Sequence, residues 1–468
     1  MVAAARKVRR IVAIGGLVAA VGGAPATQVA LPSLAGDAIT LSTGSHHAAG
    51  ASAAPPTTAQ CEKAYGFACY GATQIQQAYD EAPLFKSGIT GKGQTIVIVD
   101  SFGSPTIQHD LGVFDKAYGL PAPPKLTIIH PAGKIPPFSG KNDAMTGWAG
   151  ETTLDVEYAH TIAPGANILL VETPVSEEEG TSGFPQIETA EKYVIAHHLG
   201  GVISQSFGAT EETFPTTKSL LALRGAYVAA AKAGVTVLTA SGDSGAADTK
   251  SNETTYYLKP VTSWPDSDPL ITGVGGTQLH LATATKARTA DTVWNDTYNV
   301  TLQQAFYGDN GPNPLAGGGG KSAIFPRPSY QNKVAATVGA DRGVPDISMS
   351  GACDGSVNTY QSFPGYPAGW YPTCGTSEAT PLFAGIVALA EQKAKHSLGT
   401  INPALYALSA KHAAGIVDVT KGNNTVGFTQ GGSLHTVTGF KAVAGYDLAS
   451  GVGTVDAAKF VPELAAAG

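Results

Sequence analysis

The chain has 468 residues, 43% of them hydrophobic, and no low-complexity block beyond its first sixty positions. That is enough to bury one large core or two ordinary ones, which excludes a fibrous or wholly disordered protein. Charged residues make up only 14%, against about 25% in an average soluble domain, so the surface is sparse in ion pairs and loses little folding energy when carboxylates protonate. The formal net charge of −7 argues against a nucleic-acid partner, whose phosphates call for clustered Lys and Arg.

The N-terminus reads as an export signal. Arg6, Lys7, Arg9 and Arg10 precede an apolar run from Ile11 to Val21, and Ala24-Pro25-Ala26 supplies small residues for cleavage near Ala26. Arg9-Arg10 hints at twin-arginine export, although the flanking residues do not complete that pattern. No later stretch of about 20 apolar residues follows, so no membrane anchor is expected. Without residues 1–26 the chain carries 25 Lys and Arg against 36 Asp and Glu, a net charge near −11.

Residues 27–60 are rich in Ala, Ser, Thr, Pro and Gly without helical or strand period, and read as a linker or short pro-segment. Residues 61–468 then read as one domain. Its four cysteines, Cys61, Cys69, Cys353 and Cys374, allow three disulfide connectivities in an exported chain. The local pairs Cys61–Cys69 and Cys353–Cys374 are favoured because they close short loops. A zinc site is the competing use, but no pair has C-x-x-C spacing and no histidine cluster accompanies them.

From Gly93 the pattern changes. Gln94–Val99 is a largely apolar, β-branched run ending in Asp100-Ser101, as in a strand buried on both faces. Similar runs occur at Ala166–Val171, Gly201–Ser206 and Val235–Ala240, with helical patterns at Ile187–His198 and Leu220–Ala233 between them. Strand alternating with helix predicts an α/β fold, a parallel sheet with crossover helices on both faces. Catalytic groups in such sheets sit on loops at the carboxyl ends of the strands.

Three segments fall at such places. The first is Gly147-Trp148-Ala149-Gly150-Glu151-Thr152-Thr153-Leu154-Asp155-Val156-Glu157, followed by Ala163-Pro164-Gly165-Ala166. On a helix Glu151 and Asp155 share a face one turn apart. An exposed pair of this kind merely repels weakly, whereas a buried pair beside a nucleophile shares a proton and titrates as a unit. The second is Ser241-Gly242-Asp243-Ser244-Gly245, ending a buried strand. The third is Cys374-Gly375-Thr376-Ser377-Glu378-Ala379-Thr380-Pro381, leading into an apolar helix over Leu382–Gln392. A serine at a helix N-terminus has developing negative charge favoured by the helix dipole, although Thr376 or Ser377 could serve only as a cap.

Together these motifs resemble the sedolisin family of serine-carboxyl peptidases, which has a subtilisin-like fold. The resemblance covers roughly Cys61 to the C-terminus and includes Ile203-Ser204-Gln205-Ser206-Phe207-Gly208, Gly273–Thr277, Gly318–Ser322, Phe325–Pro328 and Pro345–Ser348, most of which also read simply as packing and turns. It implies Ser377 as nucleophile, Glu151 as general base, Asp155 as its orienting partner and Asp243, kept protonated, facing the oxyanion. It further implies one structural calcium ion, held by Asp418, Asp447 and the carbonyls of Val419, Val443 and Gly445, since calcium takes roughly six to eight oxygens. The expected enzyme is secreted and monomeric, acts on protein or peptide substrates in acid, and has no nucleic-acid or membrane partner.

Two departures stand out. Phe207 occupies a position where the family commonly has Trp, and the long folded pro-domain usual in the family is missing, with only some thirty residues between the signal and Cys61. A Gly-Asp-Ser-Gly around Ser244 also occurs at the nucleophile of chymotrypsin-like enzymes, but those are all-β and carry an Ala-Ala-His-Cys segment absent here. Two alternatives stay open: a subtilisin-like peptidase in which Asp100 orients a histidine such as His160, and an inactive secreted binding module that kept the fold.

Overall fold

A computed structural model describes residues 54–282, 287–308 and 310–468, together with the backbone of two-residue strands at 13–14, 39–40 and 42–43. The export signal and most of the 27–60 segment therefore lie outside the described residues.

The predicted buried runs all become strands of one sheet. Its members are β1 (Thr95–Ser101), β2 (Leu126–Ile129), β3 (Asn167–Thr173), β4 (Val202–Gln205), β5 (Thr236–Ala240), β6 (Thr272–Gln278), β7 (Thr292–Val293) and β8 (Ile347–Ser350). They lie in the order β7-β6-β5-β4-β1-β3-β2, with β8 also pairing β6, and every pairing is parallel except β6 with β7. The expected α/β architecture is thus present, and its long register, Thr95↔Asn167 through Ser101↔Thr173, runs through the middle of the molecule.

The strand period of two separates the core into two layers. Ile96, Ile98, Ile168, Leu170, Val202 and Leu238 join one buried cluster, and the alternating Val97, Val99, Leu169, Val171, Ile203 and Val237 join the other. Burial on both faces is why these strands read as continuous apolar runs rather than as an alternation.

The crossover helices are α1 (Ile107–Tyr118), α2 (Asp143–Ile162), α3 (Phe184–Ala196), α4 (Thr217–Leu221) and α5 (Gly225–Ala233), and α6 (Thr376–Ala394) follows the later strands. The sequence pattern suggests one helix over Leu220–Ala233. The structure has two there, and Arg224 between them meets the carboxylate of Asp268, with Nε 2.5 Å from Oδ2 and Nη2 2.8 Å from Oδ1, while its guanidinium lies over Phe325. Periodicity cannot register a tertiary contact of that kind.

Helices α2 and α6 are the most interior, each buried along nearly its whole length. They pack against each other so closely that a side chain on Gly385 would stand 2.4 Å from the Ile162 Cβ. Both favoured disulfides are present, Cys61–Cys69 and Cys353–Cys374. Because each cysteine is consumed in this way, none remains for zinc. No helix among the described residues is long and apolar enough to cross a membrane.

Candidate active site

Ser377 is the second residue of α6, not a residue preceding it. The helix begins at Thr376 because Gly375, at φ +126°, reverses the chain immediately before it. That conformation and the space both demand glycine: a Cβ at position 375 would lie 2.6 Å from Asp243 Oδ2. Ser377 is 3% exposed and lines a small pocket with Ser206, Phe207, Gly208, Gly242, Asp243, Asp248, Ser263 and Thr376. The loops after β4 and β5 and the first turn of α6 therefore meet at the carboxyl edge of the sheet, where a parallel α/β fold places its chemistry.

Asp243 follows β5 and is nearly buried. Its Oδ1 accepts hydrogen bonds from Thr376 N at 2.7 Å and from Thr376 Oγ1 at 2.8 Å. Burial pushes its pKa up to about 7, against the lowering effect of those two donors and with a smaller raising contribution from Asp248. In acid Asp243 is therefore a neutral carboxylic acid beside Ser377, able to donate a hydrogen bond.

Glu151 and Asp155 are completely buried on α2. Desolvation, with the charge of Asp100 adding to it, holds the Asp155 pKa well above the usual carboxylate range, and a hydrogen bond from Ser206 opposes the shift. That bond, Ser206 Oγ to Asp155 Oδ1, is 2.8 Å long, and the same hydroxyl lies 3.5 Å from the Ser377 carbonyl. Ser206 thus connects α2 to the backbone of Ser377. The sequence offers it only as part of a turn, and its position directly after a buried parallel strand is the available signal.

The sequence offers Asp100 only as a partner for histidine. It is fully buried at the end of β1, and burial raises its pKa to about 7, with the Thr152 hydroxyl opposing and Glu172 adding to the shift. Its electrostatic partner is Asp155. His160 faces elsewhere, with Nε2 2.8 Å from the Pro121 carbonyl and 3.3 Å from Asp115. The geometry therefore supplies no Asp100–His160 pair. Ser244 is buried, its backbone bridges to Ala316, and its hydroxyl has no hydrogen bond among the described residues. Phe207 packs among Trp148 and Phe184, and the Trp148 indole N–H donates to Ser176 rather than to a carboxylate.

The expected calcium residues are brought together by pairing of Ile416–Val417 with Thr454–Val455. Asp418 Oδ2 accepts from Gly445 N at 2.9 Å, and buried Asp447 accepts from Val443 N, Ala449 N and Ser450 N at 3.0, 2.9 and 2.8 Å. These bonds leave each carboxylate further lone pairs. No donor among the described residues bonds the carbonyl oxygens of Val419, Val443 or Gly445. Among the described residues no group of three or more His, Cys, Asp or Glu side chains could hold a metal ion, so a cation here would rest on Asp418 and Asp447 with backbone carbonyls as its further ligands.

A sequence model described as the subtilase family matches residues 138–431. Kumamolisin from Bacillus sp. (strain MN-32) is 30% identical over 391 residues, covering 82% of this chain and 62% of its own length. Sedolisin from Pseudomonas sp. (strain 101) is 28% identical over 388 residues, covering 83% of this chain and 60% of its own length. The chain thus spans less than two thirds of the curated relatives it matches. Among solved structures, Pseudomonas sedolisin, a serine-carboxyl proteinase complexed with two molecules of pseudo-iodotyrostatin, superposes with a TM-score of 0.69 at 27% identity, covering 84% of this chain and 97% of that one. The relatives and the solved structure are of sedolisin type, and the chain belongs to the subtilase family.

Proposed function

We propose that this chain is a secreted, monomeric serine-carboxyl peptidase that hydrolyses protein or peptide substrates in acid, with residues 1–26 as export signal, 27–60 as linker or short pro-segment and 61–468 as catalytic domain. In this reading Ser377 Oγ attacks the scissile carbonyl carbon while its proton passes to Glu151. The oxyanion that forms accepts a hydrogen bond from protonated Asp243. Glu151 then returns the proton to the leaving amine as the C–N bond breaks, and water releases the acyl group from Ser377 by the same route. Asp155 orients Glu151 and shares its proton.

The observation that carries this reading is a buried Asp243, held by the Thr376 hydroxyl in the same pocket as Ser377. A histidine base would be protonated in acid, whereas carboxyls titrating near ~4 can accept a proton there. The free oxygens around Asp418 and Asp447 support one structural calcium ion, which would tie the two C-terminal loops together.

The test is cleavage of an acid-denatured protein at roughly pH 3–5, where a carboxyl base and a neutral oxyanion donor coexist. Wild-type protein should produce peptides and Ser377→Ala should not. A maximum above pH 7 would refute the carboxylate mechanism, and no cleavage at any pH would favour the inactive binding module.

A further inference from the structure

The hydrogen bonds around Asp243 account for the donors that reach it. Thr376 Oγ1 accepts from Gly242 N at 3.1 Å, which orients its own proton toward Asp243 Oδ1, 2.8 Å away. Thr376 N donates to the same oxygen at 2.7 Å. With two donors converging on Oδ1, the acid proton of Asp243 is left with Oδ2, the oxygen that faces the bare Cα of Gly375.

We propose that Thr376 is a positioning residue that confines the proton of Asp243 to Oδ2, so that the acid presents its O–H to the developing oxyanion; this rests on the peptidase reading given above. A carboxylic acid rotating freely would share the proton between its two oxygens and present an acceptor lone pair to the oxyanion part of the time. Occupying Oδ1 with two donors removes that orientation before substrate arrives, which is electrostatic preorganisation applied to a side chain that must be protonated to work. The anchor is local: Thr376 precedes Ser377 on α6, so one turn of helix fixes both nucleophile and oxyanion donor.

The surroundings of Asp243 keep this arrangement simple to test. From its own loop it faces Asp248, which accepts from Ser263 Oγ at 2.6 Å. From α6 it meets Thr376, while Glu378 is directed toward Ser350 and Tyr79. From the 315–318 segment, which carries no titratable residue, Ala316 N donates to the Asp243 carbonyl. The α2 acid Asp155 lies beyond Ser206. Donors to Oδ1 stabilise the ionised form more than the neutral one, so Thr376 also holds down the pKa that sets the alkaline limb.

Thr376→Val keeps the shape and removes the hydroxyl, and Thr376→Ser keeps the hydroxyl. kcat and KM are measured from pH 2.5 to 8 for both variants and for wild type on one peptide substrate. Thr376→Val should lower kcat roughly 3- to 10-fold, the range expected for a lost hydrogen bond between neutral groups, leave KM within about twofold, and move the alkaline limb of kcat to higher pH by about half a unit or more. Thr376→Ser should restore both features.

In a Ser377→Ala background, which cannot digest itself, the Asp243 carboxyl followed by 13C NMR should titrate higher with Thr376→Val than without it. This measurement also covers poor expression of the active variant. An unshifted limb and an unshifted Asp243 titration would overturn the proposal, as would Thr376→Ser behaving like Thr376→Val. Wild type inactive in acid would instead overturn the peptidase reading itself.

Discussion

Two buried aspartates show how differently one residue type can be housed in this molecule. Asp346 is fully buried and meets a guanidinium: Arg342 Nη1 lies 2.6 Å from Oδ1 and Nη2 2.5 Å from Oδ2, with Tyr406 Oη and Gly273 N completing its shell at 2.8 and 2.9 Å. Asp155 is equally buried but among the described residues receives only the Ser206 hydroxyl, and Asp243 there receives only Thr376. The first arrangement satisfies a charge, whereas the other two favour a proton, because desolvation without a cation penalises the ionised form. Asp346 has a guanidinium beside it, whereas Asp155 and Asp243 are pushed toward the neutral form by burial, against the lowering effect of their hydroxyl donors.

The sharpest way to break this comparison is to remove the groups that exchange the proton. Ser377→Ala and Glu151→Gln should each lower kcat by about 10⁴- to 10⁶-fold, and the double variant should lose little more than either alone, since residues acting as one unit are not additive. A Glu151→Gln enzyme with near-normal kcat on acid-denatured protein would remove the proposed base.

On the scaffold side, Arg342→Met strands Asp346 and should cost about 3–5 kcal/mol of stability. Denaturant unfolding at pH 4 and pH 6 checks it. A loss below about 1 kcal/mol at both would mean that the ion pair contributes no more than a surface pair does.

The comparison also predicts the pH dependence of stability. Burial raises Asp100, Glu172, Asp243 and Asp296 to about 7 and Glu179 to about 8. A carboxyl whose folded pKa exceeds its unfolded value contributes stability that is complete below the unfolded pKa, near ~4, and is lost as pH rises through the folded pKa. The melting temperature should therefore be higher at pH 4 than at pH 7.5, the reverse of ordinary acid denaturation. Asp243→Asn removes one titrating group and should make that fall shallower. A melting temperature that rises toward neutrality would contradict the assignment of these acids as proton-holding.

The smallest effect concerns the C-terminal loops. If calcium occupies the Asp418–Asp447 site, a chelator should lower the melting temperature at pH 6, with roughly 2.7 kcal/mol at stake when free ion exceeds its dissociation constant a hundredfold. Asp447→Ala should abolish that sensitivity, and acid should weaken it by protonating the ligands. Identical melting curves with and without chelator, together with metal analysis showing no calcium, would leave Asp447 as a turn-forming residue only.

Much of this design is legible from residues in order. The doubly buried strands betray themselves as β-branched runs, and Asp243 and Ser377 sit in motifs that place them at strand ends and a helix start. Helical spacing puts Glu151 and Asp155 on one face, while their candidacy as an acid pair comes from the family resemblance of the run around them, and the disulfide partners show by proximity along the chain. Each of these signals is local, generated by the period of a strand, the pitch of a helix or the length of a loop.

What only the tertiary structure decided is which partner each polar group meets. Ser206 lies 51 positions from Asp155, and Thr376 lies 133 from Asp243. Arg224, between two short helices, meets Asp268, 44 positions away. The protonation of a buried carboxyl depends on how far it is desolvated and on which charges and donors stand beside it in space, and chain order carries no record of those contacts.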